Sequence, residues 1–210
     1  MVRKPRLLVI CGGGGSEALP AVERGWEVVV VDTDPQIESG PNLTVIKADI
    51  RDLEQGSLGE FDAMWFAPPC EQFSKAAARL RRFRMDGRRY VPTTPEAAEA
   101  VEVVRAGLRF AKDAKYWWME NPVGYLRKTE YCKHLTYRTI DQCTYGRPQK
   151  KPTNLFGYHP RGWNPRDRCT HKEKHVPLRV QKTYLERSAV PRALVDEILE
   201  SVESEFYAKR

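Results

Sequence analysis

An apolar run that ends in four consecutive glycines near the start of the chain limits the folds open to it. Residues 7–11 are continuously apolar, and residues 12–15 are all glycine. The residues that follow have helical composition, so the pattern predicts a buried strand, a tight turn and a helix. A second apolar run at residues 26–31 predicts another buried strand, which ends in Asp32. Strand, helix and strand in this order predict an α/β fold with a parallel sheet.

The glycines and the acid after the second strand together indicate a nucleoside-containing cofactor. Asp32 follows the glycines by about 20 residues, the spacing at which a carboxylate binds a ribose in dinucleotide-type folds. Glycines allow the backbone to approach a ligand closely. The tract is neither a G-x-G-x-x-G motif nor a P-loop, and a flexible turn followed by a surface acid is the alternative. The binding candidates here are Cys11, Gly12, Gly13, Gly14, Asp32 and Thr33.

Four more strands and two long helices are predicted further along the chain. Apolar runs predict strands at residues 43–46, 61–66, 115–119 and 137–140. Residues 93–112 and 188–206 have apolar positions at helical spacing, so each predicts a helix with one core face. Asp49 and Ile50 follow the third strand, where an acid can bind the exocyclic amine of an adenine. These two residues are further cofactor candidates.

The loop after the fourth strand carries the sequence Ala-Pro-Pro-Cys-Glu-Gln-Phe-Ser at residues 67–74. Open α/β sheets keep their chemistry at the carboxyl ends of their strands, which is where Cys70 would lie. Two prolines restrict the backbone before it, which suits a loop that holds a nucleophile. A small buried thiol after a turn is the alternative. Glu120 follows the fifth strand in the same way, and is either a second catalytic group or a solvated acid.

The charge balance favours an anionic partner, with nucleic acid as the first candidate. The chain has 210 residues, a net charge of +7 and a pI of about 9.2. Residues 75–89 are rich in basic residues, which would neutralise phosphates or form a solvated face. Gly87 indicates a mobile loop there. The partner-binding candidates are Lys75, Arg79, Arg81, Arg82 and Arg84.

The cysteines and the apolar runs indicate a reducing, cytoplasmic location. Five widely spaced cysteines argue against a disulfide framework. The longest apolar runs are too short for a membrane span or a secretory signal.

A loop-rich segment at residues 154–183 contains Cys169, His171 and His175. These three residues could act as zinc ligands, with Cys143 as a fourth. Their spacing matches no strong zinc signature, so the sequence assigns no metal.

Several short motifs resemble those of the DNA cytosine-5 methyltransferases, in the order and with the spacing of that family. Residues 68–70, with Phe73 and Ser74 after them, resemble the Pro-Pro-Cys loop. Residues 120–122 are similar to the Glu-Asn-Val loop. Residues 145–149 resemble the segment before the Gln-x-Arg-x-Arg motif, although Lys151 and Thr153 replace its arginines. Residues 32–35, 49–50 and 187–191 resemble further family segments.

The resemblance implies a Rossmann-like class I methyltransferase fold, mostly parallel with helices on both faces, that binds S-adenosylmethionine. It implies that Cys70 attacks C6 of cytosine, and that Glu120 holds N3 and the exocyclic amine. It places Arg147, Gln149 and Lys151 around the base and the glutamate loop. Pro68 joins the cofactor candidates. The catalytic domain then comprises residues 1–153 and 184–210.

Residues 154–183 correspond to a much reduced target-recognition region. A segment of this size supplies few base contacts, so a short DNA motif, a single strand or a partner subunit is expected. RNA as the substrate, another group on C5, and a catalytically silent nucleic-acid-binding protein are the alternatives. A zinc-dependent nucleobase deaminase is disfavoured because the H-x-E and P-C-x-x-C motifs are lacking.

Overall fold

A computed structural model describes residues 3–74, 82–87, 89–177, 180 and 183–208. The strands are β1 (Arg6–Ile10), β2 (Glu27–Asp32), β3 (Leu43–Lys47), β4 (Phe61–Phe66), β5 (Phe83–Asp86), β6 (Arg89–Pro92), β7 (Ala114–Pro122), β8 (Tyr137–Asp141) and β9 (Pro152–Tyr158). The α-helices are α1 (Ala18–Glu23), α2 (Pro95–Arg109), α3 (Tyr184–Ser188) and α4 (Arg192–Tyr207). None of the helices in the described ranges is long and apolar enough to cross a membrane.

Seven strands form one sheet in the order β3-β2-β1-β4-β7-β9-β8. The first five in this order pair in parallel, whereas β9 is antiparallel to both of its neighbours. A sheet that is parallel except for the second-to-last strand in this order is the arrangement of the class I methyltransferase fold. The predicted Rossmann-like fold class is therefore confirmed.

The central strands are covered on both faces, as their continuous apolar sequences require. All six residues of β4 are buried. On one face, α1 and α4 contribute to a core cluster that includes Ala18, Leu194 and Ile198. On the other face, α2 contributes Val101 and Val104 to a second cluster. The packed layers on the two faces thus hold the carboxyl ends of the strands in place.

A two-stranded hairpin, which the sequence did not predict, packs beside the cysteine loop. In this hairpin β5 pairs with β6, and Gly87, predicted to mark a mobile loop, forms its turn. The Phe83 ring lies 5.5 Å from the Phe73 ring and 6.0 Å from the Tyr125 ring. The predicted basic residues Arg82 and Arg84 flank Phe83, and Arg82 donates a hydrogen bond to the Glu71 carbonyl. The others, Lys75, Arg79 and Arg81, lie outside the described residues.

The sequence-based boundary at residue 154 lies inside β9, so the first residues of the predicted segment belong to the sheet. The sequence did not predict β9 because this antiparallel strand mixes polar and apolar residues, so it contains no continuous apolar run. Beyond Tyr158 the described chain is irregular up to residue 177. Arg168 anchors it through two hydrogen bonds to the buried Asp141 carboxylate, at 2.8 and 3.0 Å.

Candidate active site

A cleft of about 700 Å³ lies at the carboxyl edge of the sheet, above β1, β2, β4 and β7. The predicted residues that line it are Cys11, Gly12, Gly13, Gly14, Asp32, Thr33, Pro68, Cys70, Glu120 and Lys151. A second hollow of about 280 Å³ adjoins it and is lined by Asp49 and Ile50. The two cavities share four lining residues, which are Cys11, Asp32, Thr33 and Pro69. The structure therefore places both sets of predicted residues around one continuous depression.

The glycine turn at one end of the cleft has no room for side chains. A Cβ atom on Gly12 would lie 2.3 Å from Val9 Cγ1, and one on Gly13 would lie 2.8 Å from Asp32 Cγ. Real Cβ atoms essentially never approach other atoms this closely. Both glycines are thus required for the backbone of the turn to approach the end of β2.

The Asp32 carboxylate connects the glycine turn to the loop after β2. Gly13 N–H donates to Asp32 Oδ2 at 2.9 Å, and Asp34 N–H donates to Asp32 Oδ1 at 2.8 Å. Each carboxylate oxygen has a further acceptor site after one such bond. Asp32 can therefore hold the turn and still accept a hydrogen bond from a ligand hydroxyl.

The smaller hollow combines apolar side chains with an ion pair. Ile50 is buried, while the Asp49 side chain caps the short 3₁₀ helix Ile50–Asp52 by accepting a bond from Arg51 N–H. The Arg51 guanidinium also lies 2.6 Å from Asp49 Oδ2. These hydrogen bonds lower the pKa of Asp49 below its usual value. Asp49 is an ionised acceptor here, with part of its capacity taken by Arg51.

Cys11 lies between the two cavities at the end of β1. Its φ angle is 57°, a left-handed conformation that is uncommon outside glycine. Cys11 N–H donates to the Val31 carbonyl at 2.9 Å, which fixes that conformation. Burial raises the pKa of its thiol to about 12, so Cys11 lines the cleft as an uncharged thiol.

The Cys70 loop is fastened to the loop after β7. Phe73 and Ser74 donate to the Cys70 carbonyl at 3.1 and 3.0 Å, which closes a turn directly after the cysteine. Tyr125 N–H donates to the Phe73 carbonyl at 2.7 Å. A Cβ on Gly124 would lie 2.0 Å from the same oxygen, so a glycine is needed there. The Cys70 loop is thereby held to the end of β7, where Glu120 lies inside the strand and not, as predicted, in the loop after it.

The Cys70 thiol is protonated in the resting protein. Burial and, to a smaller extent, the Glu120 carboxylate raise its pKa to about 11, although the Lys151 ammonium opposes them. A nucleophilic role requires the thiol to lose its proton when a substrate is bound.

Glu120 forms a buried ion pair with Lys151, at 3.7 Å between Oε1 and Nζ. Both side chains are 6% exposed. Gln142 donates to Glu120 Oε1 at 3.3 Å, and Lys151 donates to the Arg187 carbonyl at 3.2 Å. The backbone of Lys151 has a φ of 34°, which is uncommon for residues other than glycine. The carboxylate is therefore held by a cation and an amide inside the cleft.

Arg147 and Gln149, predicted to contact the base, do not line the cleft. The Arg147 guanidinium donates to Gln142 Oε1 at 3.0 Å and to the carbonyls of Glu186 and Arg187, both at 3.0 Å. Its Nε donates to Gln149 Oε1 at 3.2 Å. Arg147 thus binds the end of α3 on one side and orients Gln142, the partner of Glu120, on the other.

Three features of the site were missed in the sequence. Residues 183–186, Ser188 and Ala189, which belong to α3 and its flanks, line the cleft. Gln142 supports Glu120 from a short 3₁₀ helix whose sequence carries no motif. Glu17 lines the cleft with only 4% exposure, and burial raises the pKa of its carboxyl to about 7. The one available signal was its position two residues after the last glycine.

Solved structures with a similar backbone include three proteins. A DNMT2 mutant of Spodoptera frugiperda is 16% identical, with a TM-score of 0.44, over 80% of this chain and 54% of that one. A methyltransferase of Entamoeba histolytica is 10% identical, with a TM-score of 0.48, over 84% and 59%. The magnesium protoporphyrin IX methyltransferase of Synechocystis, with bound SAM, is 14% identical, with a TM-score of 0.41, over 73% and 69%.

This chain spans about half the length of the first of these proteins. No protein-family model matches the chain, and no curated protein sequence matches it.

Proposed function

We propose that this protein transfers a methyl group from S-adenosylmethionine to C5 of cytosine in DNA, with Cys70 as the nucleophile. One observation carries the proposal: Cys70, in the loop after β4, and Glu120, near the end of the neighbouring strand β7, line the same cleft as the glycine turn. A buried acid opposite a thiol is what activation of a pyrimidine ring requires. A purely structural cysteine would need no such partner.

The residues present fit S-adenosylmethionine at the other end of the cleft. The turn at Gly12 and Gly13 gives a ligand access to the backbone that any Cβ would block. Asp32 has acceptor capacity for ribose hydroxyls. The hollow beside Ile50, with Asp49 at its rim, offers an apolar surface and an acceptor for an adenine ring. When bound, this donor supplies a methyl group on a sulfonium centre, which a carbon nucleophile can accept.

Cys70 has the task of making cytosine C5 nucleophilic. Its sulfur forms a bond to C6 and gives up its proton, while N3 accepts a proton and the ring becomes an enamine. After C5 has been methylated, the C5 proton leaves, the bond between Cys70 Sγ and C6 breaks, N3 gives up the proton it accepted, and the sulfur takes a proton again. The aromatic ring and the free cysteine are then restored.

Glu120 has the task of stabilising the ring while Cys70 is attached. A carboxyl group at N3 supports the proton that the ring accepts, and its second oxygen accepts a bond from the exocyclic amine. Lys151 and Gln142 fix the carboxyl group in place, so little reorganisation is needed when the base arrives. This preorganisation is the contribution of the buried ion pair to the reaction.

DNA is the proposed substrate because the chain carries a net charge of +7, and a cytosine must leave its stack to reach Cys70. Unstacking and unpairing cost a few kcal/mol, which contacts to the backbone must offset. A chain with a small irregular segment is best suited to a short motif, to single strands or to action with a partner subunit.

The direct test is transfer of labelled methyl groups from S-adenosylmethionine to double-stranded DNA, single-stranded DNA and RNA, each in a separate arm. We expect labelled 5-methylcytosine in DNA with the wild-type protein and none above background with Cys70→Ser. Cys132→Ala is the control, because Cys132 is a buried thiol that does not line the cleft. Label in RNA alone would move the substrate to RNA, and no label in any arm would refute the proposal.

A second test asks whether the bond to C6 forms. DNA that contains 5-fluorocytosine should become covalently attached, because fluorine at C5 prevents the loss of a proton that precedes release of the cysteine. The adduct should appear with the wild type and be absent with Cys70→Ser. An adduct that persists in this variant would identify a different nucleophile.

A further inference from the structure

We propose that Cys143, Cys169, His171 and His175 bind one structural Zn²⁺ ion outside the cleft. The ligand atoms of these four residues, one from each, all lie within 4.8 Å of one another. The two thiols and two imidazoles form a Cys₂His₂ set, the composition of many closed zinc sites. None of the four residues lines the cleft, so the proposal is independent of the reaction proposed above.

The distances within the cluster are close to those that zinc imposes. Tetrahedral zinc with bonds of about 2.0 to 2.3 Å sets its ligand atoms about 3.3 to 3.8 Å apart. Cys169 Sγ lies 3.4 Å from His175 Nε2, and His171 Nδ1 lies 3.5 Å from the same nitrogen. The separations up to 4.8 Å need to close by about 1 Å on binding. Such a change is small for a segment that is irregular and on which His171 is exposed.

The polypeptide brings the four residues together from two distant parts of the chain. Cys143 is buried in the 3₁₀ helix directly after β8. The other three ligands lie within seven residues of irregular chain, which have no helix or strand to position them. All five cysteines are free thiols, so no disulfide accounts for the approach of Cys143 to Cys169. Three ligand groups that converge on Cys143 from a segment without regular structure are explained by an ion that holds them.

Two backbone contacts frame the site. Cys169 N–H donates to the Asp141 carboxylate at 3.1 Å, two residues before Cys143 in the chain. Val176 N–H, directly after His175, donates to the Pro148 carbonyl at 3.1 Å. The segment is thereby attached to the end of β8 at one side of the ligands and to the loop before β9 at the other, and the ion would close the loop between these contacts.

A zinc ion here would also stabilise the support of the cleft. Cys143 is adjacent to Gln142, which donates to Glu120 and accepts from Arg147. Four protein ligands leave no open position for water or substrate, so the ion has a structural role and no direct role in chemistry. Its loss should loosen the irregular segment first and the position of Gln142 second.

The test measures metal in the full-length protein, purified under reducing conditions without a chelator. We expect about one zinc per chain by inductively coupled plasma mass spectrometry. Replacement of zinc by Co²⁺ should give visible bands of a tetrahedral site and the thiolate-to-cobalt absorption of two cysteines. Cys169→Ser should lose the metal and that absorption, and His171→Ala should lower the zinc content of dialysed protein.

Matched controls separate this site from the other thiols and imidazoles of the chain. Cys70→Ser removes a thiol in the cleft, and His134→Ala removes an exposed imidazole. Both variants should retain about one zinc per chain. Equal loss of zinc in either control would place the metal elsewhere and overturn the assignment.

A measurement on the wild type covers the case in which a ligand variant fails to fold. Chelation of the metal should lower Tm by about 5 °C or more, and equimolar zinc should restore it. Wild-type protein that contains no zinc, gives no cobalt spectrum and keeps its Tm with chelator and with added zinc would refute the proposal.

Discussion

Side chains form one end of the cleft, and mainly backbone forms the other. At the end above β4 and β7, buried charged side chains hold one another, with Glu120 and Lys151 each 6% exposed. At the end above β1 and β2, the walls are backbone and short side chains, and Asp32 is bound by backbone N–H groups. The first end is a network of buried side chains, whereas the second is a surface formed mainly by backbone.

This difference determines which substitutions each end tolerates. Removal of one member of a buried ion pair leaves an uncompensated charge and costs about 3–5 kcal/mol. Addition of a methyl group to a close-packed turn costs about 1–3 kcal/mol through overpacking. The substrate end should therefore be sensitive to loss of a group, and the donor end to gain of one.

The largest effect is expected from Glu120→Gln. This substitution leaves Lys151 buried without a charged partner, so the free energy of unfolding should fall by about 3 kcal/mol. Methyl transfer should fall at least about 1,000-fold, since the amide cannot support a proton at N3. Urea unfolding and single-turnover methylation measure the two effects separately.

Two variants make that experiment decisive. Glu71→Gln changes an exposed carboxyl next to Cys70 and should leave stability unchanged. Addition of Lys151→Met to Glu120→Gln removes the second charge as well, and should recover stability without activity. If Glu120→Gln is as stable as the wild type, the loss of the Glu120 charge does not leave Lys151 as an uncompensated buried charge.

The fold could be read from the sequence wherever strands are buried on both faces. The run at residues 61–66 coincides with β4, and the runs near residues 7, 26 and 115 lie within or overlap β1, β2 and β7. The hairpin of β5 and β6 was missed because its sequence is basic and its pairing depends on Phe83 packing against Phe73. A contact between distant aromatic rings leaves no local periodicity.

The candidate site was predictable where it lies at the carboxyl ends of strands. Cys70, Glu120 and Asp32 were found by this rule, and the structure brings them to one cleft. Gln142 was missed because its partner Glu120 is 22 residues away and reached only through the antiparallel sheet. The same holds for Cys143, which meets Cys169 only in the folded chain.

Glu17, which lines the same cleft, should cause a pH-dependent loss of stability. Burial raises the pKa of this carboxyl from 4.5 to about 7, so between these values the folded chain binds more protons than the unfolded chain. The free energy of unfolding therefore falls as pH rises through this window, by up to about 3 kcal/mol.

Urea unfolding at about pH 5 and pH 8 measures this loss. Glu17→Gln should remove most of the pH dependence in this window, while Glu38→Gln, at an exposed carboxyl, should keep it. If the wild type and Glu17→Gln lose equal stability between these pH values, Glu17 is not the titrating group.

The smallest effect is expected at the donor end, where the same substitution at two neighbouring glycines gives an internal control. Gly13→Ala would place its Cβ 2.8 Å from Asp32 Cγ, whereas Gly14→Ala meets only the end of the Leu185 side chain, at 3.1 Å. Because Asp32 must move in the first case, the Kd for S-adenosylmethionine should rise about 30-fold, which corresponds to about 2 kcal/mol. For Gly14→Ala the change should stay within about threefold, since a flexible side chain can shift. Isothermal titration calorimetry with S-adenosylmethionine measures both values, and equal affinities for the two variants would contradict the view that this end is defined by close backbone approach to Asp32.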